Sequence, residues 1–204
     1  MNNNISILIL AAGASTRMGK IKQLLPWRKG TLLSNAMDTA RASAASSVIV
    51  VTGANATEIV NHLDQDGVVI LKNSDWPSGM GSSIGCGIRY IKDNIPQCSA
   101  VLLMLADQPL IDASYLDILI STYKQQGGIV ATSYNSGPGV PAIFDRVHFD
   151  ELQQLNKEYG AKQVIAAHRS ATITLDPQGK QKDIDTLEEY NQLIEQTGNH
   201  NKQQ

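Results

Sequence analysis

Directly after a run of apolar residues the chain reads Leu10-Ala11-Ala12-Gly13-Ala14-Ser15-Thr16-Arg17-Met18-Gly19-Lys20-Ile21-Lys22. Small side chains at Ala11, Ala12, Gly13 and Ala14 let a ligand approach the backbone, and successive N–H groups in such a turn cradle an anion. Arg17 and Lys22 add positive charge at a reach suited to a triphosphate, with Lys20 as a competitor for the second position. Two better-known phosphate loops are excluded. A dinucleotide fingerprint requires G-x-G-x-x-G, and only Gly13 and Gly19 are present. A Walker A loop has one residue fewer between its glycines and a hydroxyl residue after its lysine, whereas Ile21 follows Lys20 here. A plain turn carrying solvated cations would have the same composition.

A carboxylate could complete such a site. Asp107 ends the apolar run 100–106, and Pro109 stops the chain from continuing in a sheet. A buried strand that emits a carboxylate at its C-terminal end delivers a divalent-cation ligand, although an Asp opening a turn before Pro looks identical. Asp185 precedes Thr186 and Glu189, which are spaced as a capping box, and capping alone would account for it. Asn73, Gly79, Ser82 and Ser83 are candidates to contact base, ribose or acceptor. The alternative is a turn opening a helix with Ser82 as cap.

Other chemistry is weaker. Gly81-Ser82-Ser83-Ile84-Gly85 matches the G-x-S-x-G nucleophile elbow, with Asp107 and His148 following in order. The elbow needs a strand running into the serine, yet Trp76-Pro77-Ser78-Gly79-Met80 stands there. His62, His148, His168 and His200 show no metal-binding spacing and read as surface or packing residues. Cys86 and Cys98 exclude a disulfide framework and read as structural thiols.

The elements that must position these residues follow from hydrophobic patterning. Short apolar runs at 5–10, 47–52, 68–71, 100–106, 129–133, 140–144 and 171–175 read as strands. Helical patterns fit 32–44, 57–63, 82–92, 113–126, 149–155, 161–167 and 186–195. The runs at 5–10, 47–52 and 100–106 are almost continuously apolar, as central parallel strands covered on both faces must be. The alternation implies an α/β fold, a Rossmann-like three-layer sandwich with a mostly parallel sheet. Between 129–133 and 140–144 the connection is too short for a parallel crossover, so a late antiparallel excursion is expected. In such a sheet the ligand lies beyond the carboxyl ends of the strands, where the glycine loop and Asp107 fall.

With 204 residues, 42% hydrophobic and 18% charged, the chain has the size and balance of one globular domain, here residues 1–196, followed by a polar tail at 197–204 read as frayed. A net charge of -2 without a Lys/Arg cluster argues against nucleic acid or an anionic membrane as partner. No apolar run is long enough to span a bilayer, and the run at 5–12 lacks a basic flank, so a cytoplasmic location is expected.

The loop resembles the nucleotidyltransferase signature L-A-A-G-x-S-x-R-M-G-x-x-K, and the likeness continues through Gln23-Leu24-Leu25-Pro26. Further matches are Asn73 with Trp76 and residues 79–83, Leu105-Ala106-Asp107-Gln108-Pro109-Leu110, residues 139–144, and Asp183-Ile184-Asp185-Thr186. The chain is most similar to the molybdenum cofactor cytidylyltransferases of the MobA-like group. The resemblance implies a Rossmann-like fold, CTP or a related nucleotide, Mg²⁺, and a molybdopterin-type phosphate acceptor. It assigns Lys22, Arg17 and Asp107 to catalysis and Asp107 with Asp185 to the metal. Nucleotide binding falls to Leu10, Ala11, Ala12, Gly13, Ser15, Arg17, Lys22, Asn73, Gly79, Ser82 and Ser83. Ala-Ala-Gly after the strand goes with cytidine rather than guanine nucleotides in these enzymes. Two other functions fit the same string: an accessory protein delivering the cofactor to a molybdenum enzyme, and a sugar-nucleotide pyrophosphorylase.

Overall fold

The computed structural model describes residues 4–155 and 159–200. Among the described residues, nine strands and seven α-helices follow one another, beginning with β1 (Asn4–Ala11), β2 (Pro26–Trp27), β3 (Gly30–Thr31), α1 (Leu32–Arg41), β4 (Ser47–Thr52), α2 (Ala56–Asn61), β5 (Val68–Lys72) and α3 (Met80–Asn94). Then come β6 (Cys98–Leu105), α4 (Ala113–Gln126), β7 (Ile129–Tyr134), β8 (Gly137–Asp145), α5 (Phe149–Gln153), α6 (Lys162–Ala167), β9 (Thr172–Leu175) and α7 (Leu187–His200). Seven strands form one sheet in the order β5-β4-β1-β6-β8-β7-β9. β8 runs antiparallel to both its neighbours, and the other adjacent pairs are parallel. The architecture is Rossmann-like, with the expected late antiparallel strand.

Alternation along the central strands builds two cores. Ile5, Ile7, Ile9 and Ala11 of β1 point to one face, where they meet Leu33, Met37 and Ala40 of α1 and Leu116, Leu119 and Ile120 of α4. Leu8 and Leu10 point to the other, against Ile84, Ile88 and Ile91 of α3, Phe149 and Leu152 of α5, and Val164 and Ile165 of α6. Neither face of β1 is wetted, which is why its sequence shows no polar residue after Ser6, itself buried and bonded to Cys98 and Ser47.

A third cluster lies outside both faces. Met18, Leu25, Trp27, Leu32, Ile184 and Leu193 pack together, joining the segment after the glycine loop, the β2–β3 hairpin and α7. Strands of two residues are too short to produce a periodic signal, so this hairpin was not expected from the sequence. Residues 197–200, read there as part of a frayed tail, continue α7; residues 201–204 lie outside the described residues.

From β1 the chain moves outward to β4 and β5, then crosses back to β6 on the far side of β1. The switch point lies between β1 and β6, and such a crevice is where doubly wound sheets bind ligands. Backbone bonds stitch the emerging loops together there: Ala106 N–H donates to Leu10 O at 3.2 Å, and Ala54 N–H to Ala12 O at 3.1 Å.

Candidate active site

The loop after β1 is held by a side chain that the sequence reading left unassigned. Gln23, only 6% exposed, donates through Nε2 to the carbonyls of Ala11 and Gly13, each at 3.0 Å. Those carbonyls are thereby turned inward, which leaves the opposite edge of the backbone for the cleft. Ser15 accepts from the Lys22 N–H at 3.2 Å and sits in the left-handed region at φ 54°, a conformation that favours small or polar residues. The turn is thus closed on itself before any ligand arrives. A side chain at Gly13 would meet no protein atom within 4 Å, so its absence leaves open space rather than relieving a clash.

Lys22 is the centre of charge. Its Nζ lies 2.7 Å from Asp107 Oδ2 and 3.2 Å from Asp185 Oδ1, and Arg17 reaches Asp185 Oδ2 at 3.3 Å. Lys22 is 14% exposed and Asp107 23%, whereas the Arg17 side chain is open to solvent at 70%. Asp107 comes from the turn after β6 and Asp185 from the segment before α7. A backbone bond joins these two segments, Ile184 N–H to Asp107 O at 3.1 Å. Ile184 is fully buried in the third cluster. Of its two neighbours, Asp185 lines the cleft and Asp183 accepts from Gln108.

The capping box expected around Asp185 is formed. The Asp185 backbone N–H and that of Thr186 donate to Glu189 Oε2 at 2.8 and 2.9 Å, while Glu189 N–H returns to Thr186 Oγ1 at 3.2 Å. The capping box uses the backbone, and the carboxylate stays free for Lys22 and Arg17.

Behind the pair lies a polar network. Gln108 donates through Nε2 to Asp183 at 2.6 Å and to the Tyr134 hydroxyl at 2.8 Å, and Tyr134 donates to the Val140 carbonyl. Burial pushes the Asp183 carboxyl above the usual aspartate range, the Gln108 bond opposes this, and the charges of Asp107 and Asp185 raise it further. Burial likewise pushes the Tyr134 phenol up, so it is a neutral donor.

The opposite wall is the start of α3. Gly79, at φ 105°, occupies a backbone conformation that a side chain would strain, and it turns the chain into the helix at Met80 rather than at Ser82. Asn73 is buried and its amide is spent, donating to Ser82 Oγ at 2.9 Å and Ser83 Oγ at 3.0 Å. Ser83 is therefore a helical residue hydrogen-bonded to an amide, without the strand-to-helix elbow of a hydrolase nucleophile. Gly53 lets the end of β4 pass Trp76: a Cβ there would lie 2.5 Å from Trp76 Cβ and 2.8 Å from the Ala12 carbonyl.

These pieces enclose a cleft of about 400 Å³. Of the sequence-predicted residues it brings together Leu10, Ala11, Ala12, Gly13, Ser15, Arg17, Lys22, Gly79, Ser83, Asp107 and Asp185. Asn73 and Ser82 brace the wall from behind. Trp76, Pro77 and Met80 line the cleft without having been singled out as contacts, and Gln23 forms its floor. Trp76 was visible only as part of a resembling string; Gln23 carried one clue, an amide set among Ile21, Leu24 and Leu25.

The residues fit a divalent cation. Asp107 Oδ1 is buried and has no hydrogen-bond partner among the described residues, beside a second carboxylate at Asp185. An oxygen-only donor set of this kind suits Mg²⁺ or Mn²⁺.

A Rossmann-like sheet carrying a glycine loop at its switch point, with cations and carboxylates around it, is the arrangement of a nucleotide-handling class of enzymes. Residues 7–172 match the model of the MobA-like NTP transferase domain, and the chain belongs to that family. It is 34% identical over 144 residues to nicotine blue oxidoreductase of Paenarthrobacter nicotinovorans, covering 69% of this chain and 67% of that one. It is 24% identical to the molybdenum cofactor cytidylyltransferase of Escherichia coli K12, over 91% and 93% of the two chains. Among solved structures, Rv0371c of Mycobacterium tuberculosis H37Rv superposes with a TM-score of 0.83 at 28% identity, covering 96% of this chain and 100% of that one. A manganese complex of the same protein aligns over the same shares with a TM-score of 0.71 at 27% identity.

Proposed function

We propose that this protein transfers CMP from CTP to the phosphate of a molybdenum pterin cofactor and releases pyrophosphate. The observation that carries the transfer reading is Lys22 Nζ held between Asp107 and Asp185 at the mouth of the glycine loop. The pterin acceptor and the cytidine base rest on the resemblance to the cytidylyltransferases and on a relative of that name.

In this reading the N–H groups of residues 12–15 hold the triphosphate, and Lys22 and Arg17 follow the negative charge onto the departing pyrophosphate. The acceptor phosphate is ionised near neutral pH, so the step needs alignment and charge neutralisation rather than a general base. A divalent cation, most simply Mg²⁺, held by Asp107 and Asp185 would supply that neutralisation when bound. Trp76, Pro77 and Met80 exclude water from the opposite side. Asp183, Gln108 and Tyr134 keep the Asp107 turn in place.

A second reading has one specific support, the oxidoreductase name of the relative at 34% identity. A redox enzyme built on this loop would need a hydride carrier, and the paired carboxylates beside Lys22 favour phosphoryl chemistry. Delivery of the finished cofactor to a molybdenum enzyme is the third.

The deciding experiment measures pyrophosphate release from CTP, GTP, ATP and UTP with Mg²⁺, with and without a molybdopterin-type acceptor, followed by mass analysis. Acceptor-dependent release from CTP and a CMP-bearing pterin are expected. Release with GTP alone overturns the base assignment, and tight pterin binding without release moves the protein to the delivery class. Oxidation of a nicotinamide carrier in the absence of release would establish the redox reading.

A further inference from the structure

Three metal-ligating side chains meet on the far side of the sheet from α1 and α4, in a place the transfer reaction does not use. His148 closes the turn after β8, Glu151 lies in α5, and His168 caps the end of α6. Glu151 Oε1 lies 3.1 Å from His148 Nδ1 and 3.1 Å from His168 Nε2, and Glu151 Oε2 lies 2.9 Å from His168 Nε2. The imidazole centroids are 4.5 Å apart with planes inclined at 59°.

We infer that His148, Glu151 and His168 form a second metal site, selective for zinc or a similar first-row transition ion. Zinc binds imidazole nitrogen and carboxylate oxygen at about 2.0–2.2 Å, so neighbouring ligand atoms in its shell stand roughly 3–3.5 Å apart. The nitrogen-to-oxygen separations in the triad already have that size. Both histidines place a ring nitrogen 3.1 Å from the same carboxylate oxygen, and the three ligand atoms all lie within 4.8 Å of one another, close enough to share one ion.

The donor set gives selectivity. Two imidazoles and one carboxylate suit zinc, nickel, copper or iron, whereas Mg²⁺ prefers oxygen alone. The catalytic cleft offers carboxylates only, so the two sites sort different ions. His148 is mostly covered at 12% exposure, while Glu151 and His168 are open at 44% and 36%, which provides an entry path and room for water in the remaining positions. An ion there would tie the turn after β8 to the end of α6. Spacing within the sequence could not reveal the triad, because Glu151 and His168 are 17 residues apart and meet only through folding.

The test is zinc titration of the tag-free full chain by calorimetry, in the presence of excess Mg²⁺ to occupy the cleft. A single zinc equivalent is expected in the wild type and in Asp107→Asn. Loss of an outer-shell partner alone weakens metal sites by 10–100-fold, so loss of a ligand in His168→Ala or His148→Ala should weaken zinc by more than about 100-fold. His168→Gln serves as the milder variant if the alanine form does not fold. Bound Cu²⁺ should show coupling to two imidazole nitrogens in its paramagnetic resonance spectrum, and to one after either substitution. Absence of zinc binding in the wild type, or equal affinity in the histidine variants, overturns the site.

Discussion

The Ile184 N–H donates to the Asp107 carbonyl at 3.1 Å, and this one backbone bond joins the two segments that carry the site's carboxylates. Ile184 is buried among Met18, Leu25, Trp27, Leu32 and Leu193, so the hydrophobic cluster outside the main cores fixes the segment that presents Asp183 and Asp185. The cluster and the site are consequently one mechanical unit. Packing places the backbone, the backbone places Asp107 against Asp185, and Lys22 fills the space between them.

Asp107→Asn keeps the size of the side chain and removes its charge. The transfer reading requires that charge to hold a divalent cation against the nucleotide, so kcat should fall by roughly 10²–10³-fold, the usual loss when one preorganised electrostatic contact is removed. Pyrophosphate release at saturating Mg²⁺ reads the effect. Near-normal turnover would remove Asp107 from the metal site.

Gln23→Ala tests the floor of the loop. Two inward carbonyls, at Ala11 and Gly13, lose their donor, and leaving a buried polar group unsatisfied costs about 1–3 kcal/mol. Tm should drop, and KM for the nucleotide should rise more than kcat falls, because the residue shapes the loop without touching the reacting atoms. A fall in kcat with unchanged KM would place Gln23 in the chemistry instead.

The parts of this arrangement that the sequence disclosed are those written in contiguous residues. The buried strands around β1 showed in unbroken apolar runs, the glycine loop in its small residues, and Asp107 in its position after β6. What stayed hidden depends on partners far along the chain. Asn73 looked like a ligand contact, yet its amide is consumed by Ser82 and Ser83. Asp183 and Gln108 are 75 residues apart, and their bond exists only because the sheet brings the two loops together. The β2–β3 hairpin was too short to leave a pattern, although Trp27 anchors the third cluster.

The Asp183 carboxyl gives a pH signature. Its folded value lies above the ordinary aspartate range because of burial and then the neighbouring Asp107 and Asp185 charges. The folded protein retains a proton that the unfolded chain has released, so this stabilising contribution is complete below the ordinary range and disappears as pH rises through the folded value. Asp183→Asn retains an acceptor for Gln108 and has nothing to ionise. Its Tm relative to wild type should therefore climb between acid and neutral pH. A difference that stays flat across that range contradicts the raised carboxyl.

Lys22→Met separates binding of metal from binding of nucleotide. In the free protein the ammonium occupies the position between Asp107 and Asp185, 2.7 and 3.2 Å from their oxygens, and it competes there with any divalent cation. Methionine has similar length and no charge, so the two carboxylates should take Mn²⁺ more tightly while repelling each other when no ion is present. Two measurements follow from that. Without metal the variant should melt below wild type, and its Tm should rise more steeply with Mn²⁺ concentration, since a ligand stabilises in proportion to the logarithm of its concentration over Kd. Pyrophosphate release should nevertheless fall, because Arg17 is then the one side-chain cation assigned to follow the charge onto the leaving group. An equal Mn²⁺ response in variant and wild type would mean that the ion and Lys22 do not share these carboxylates.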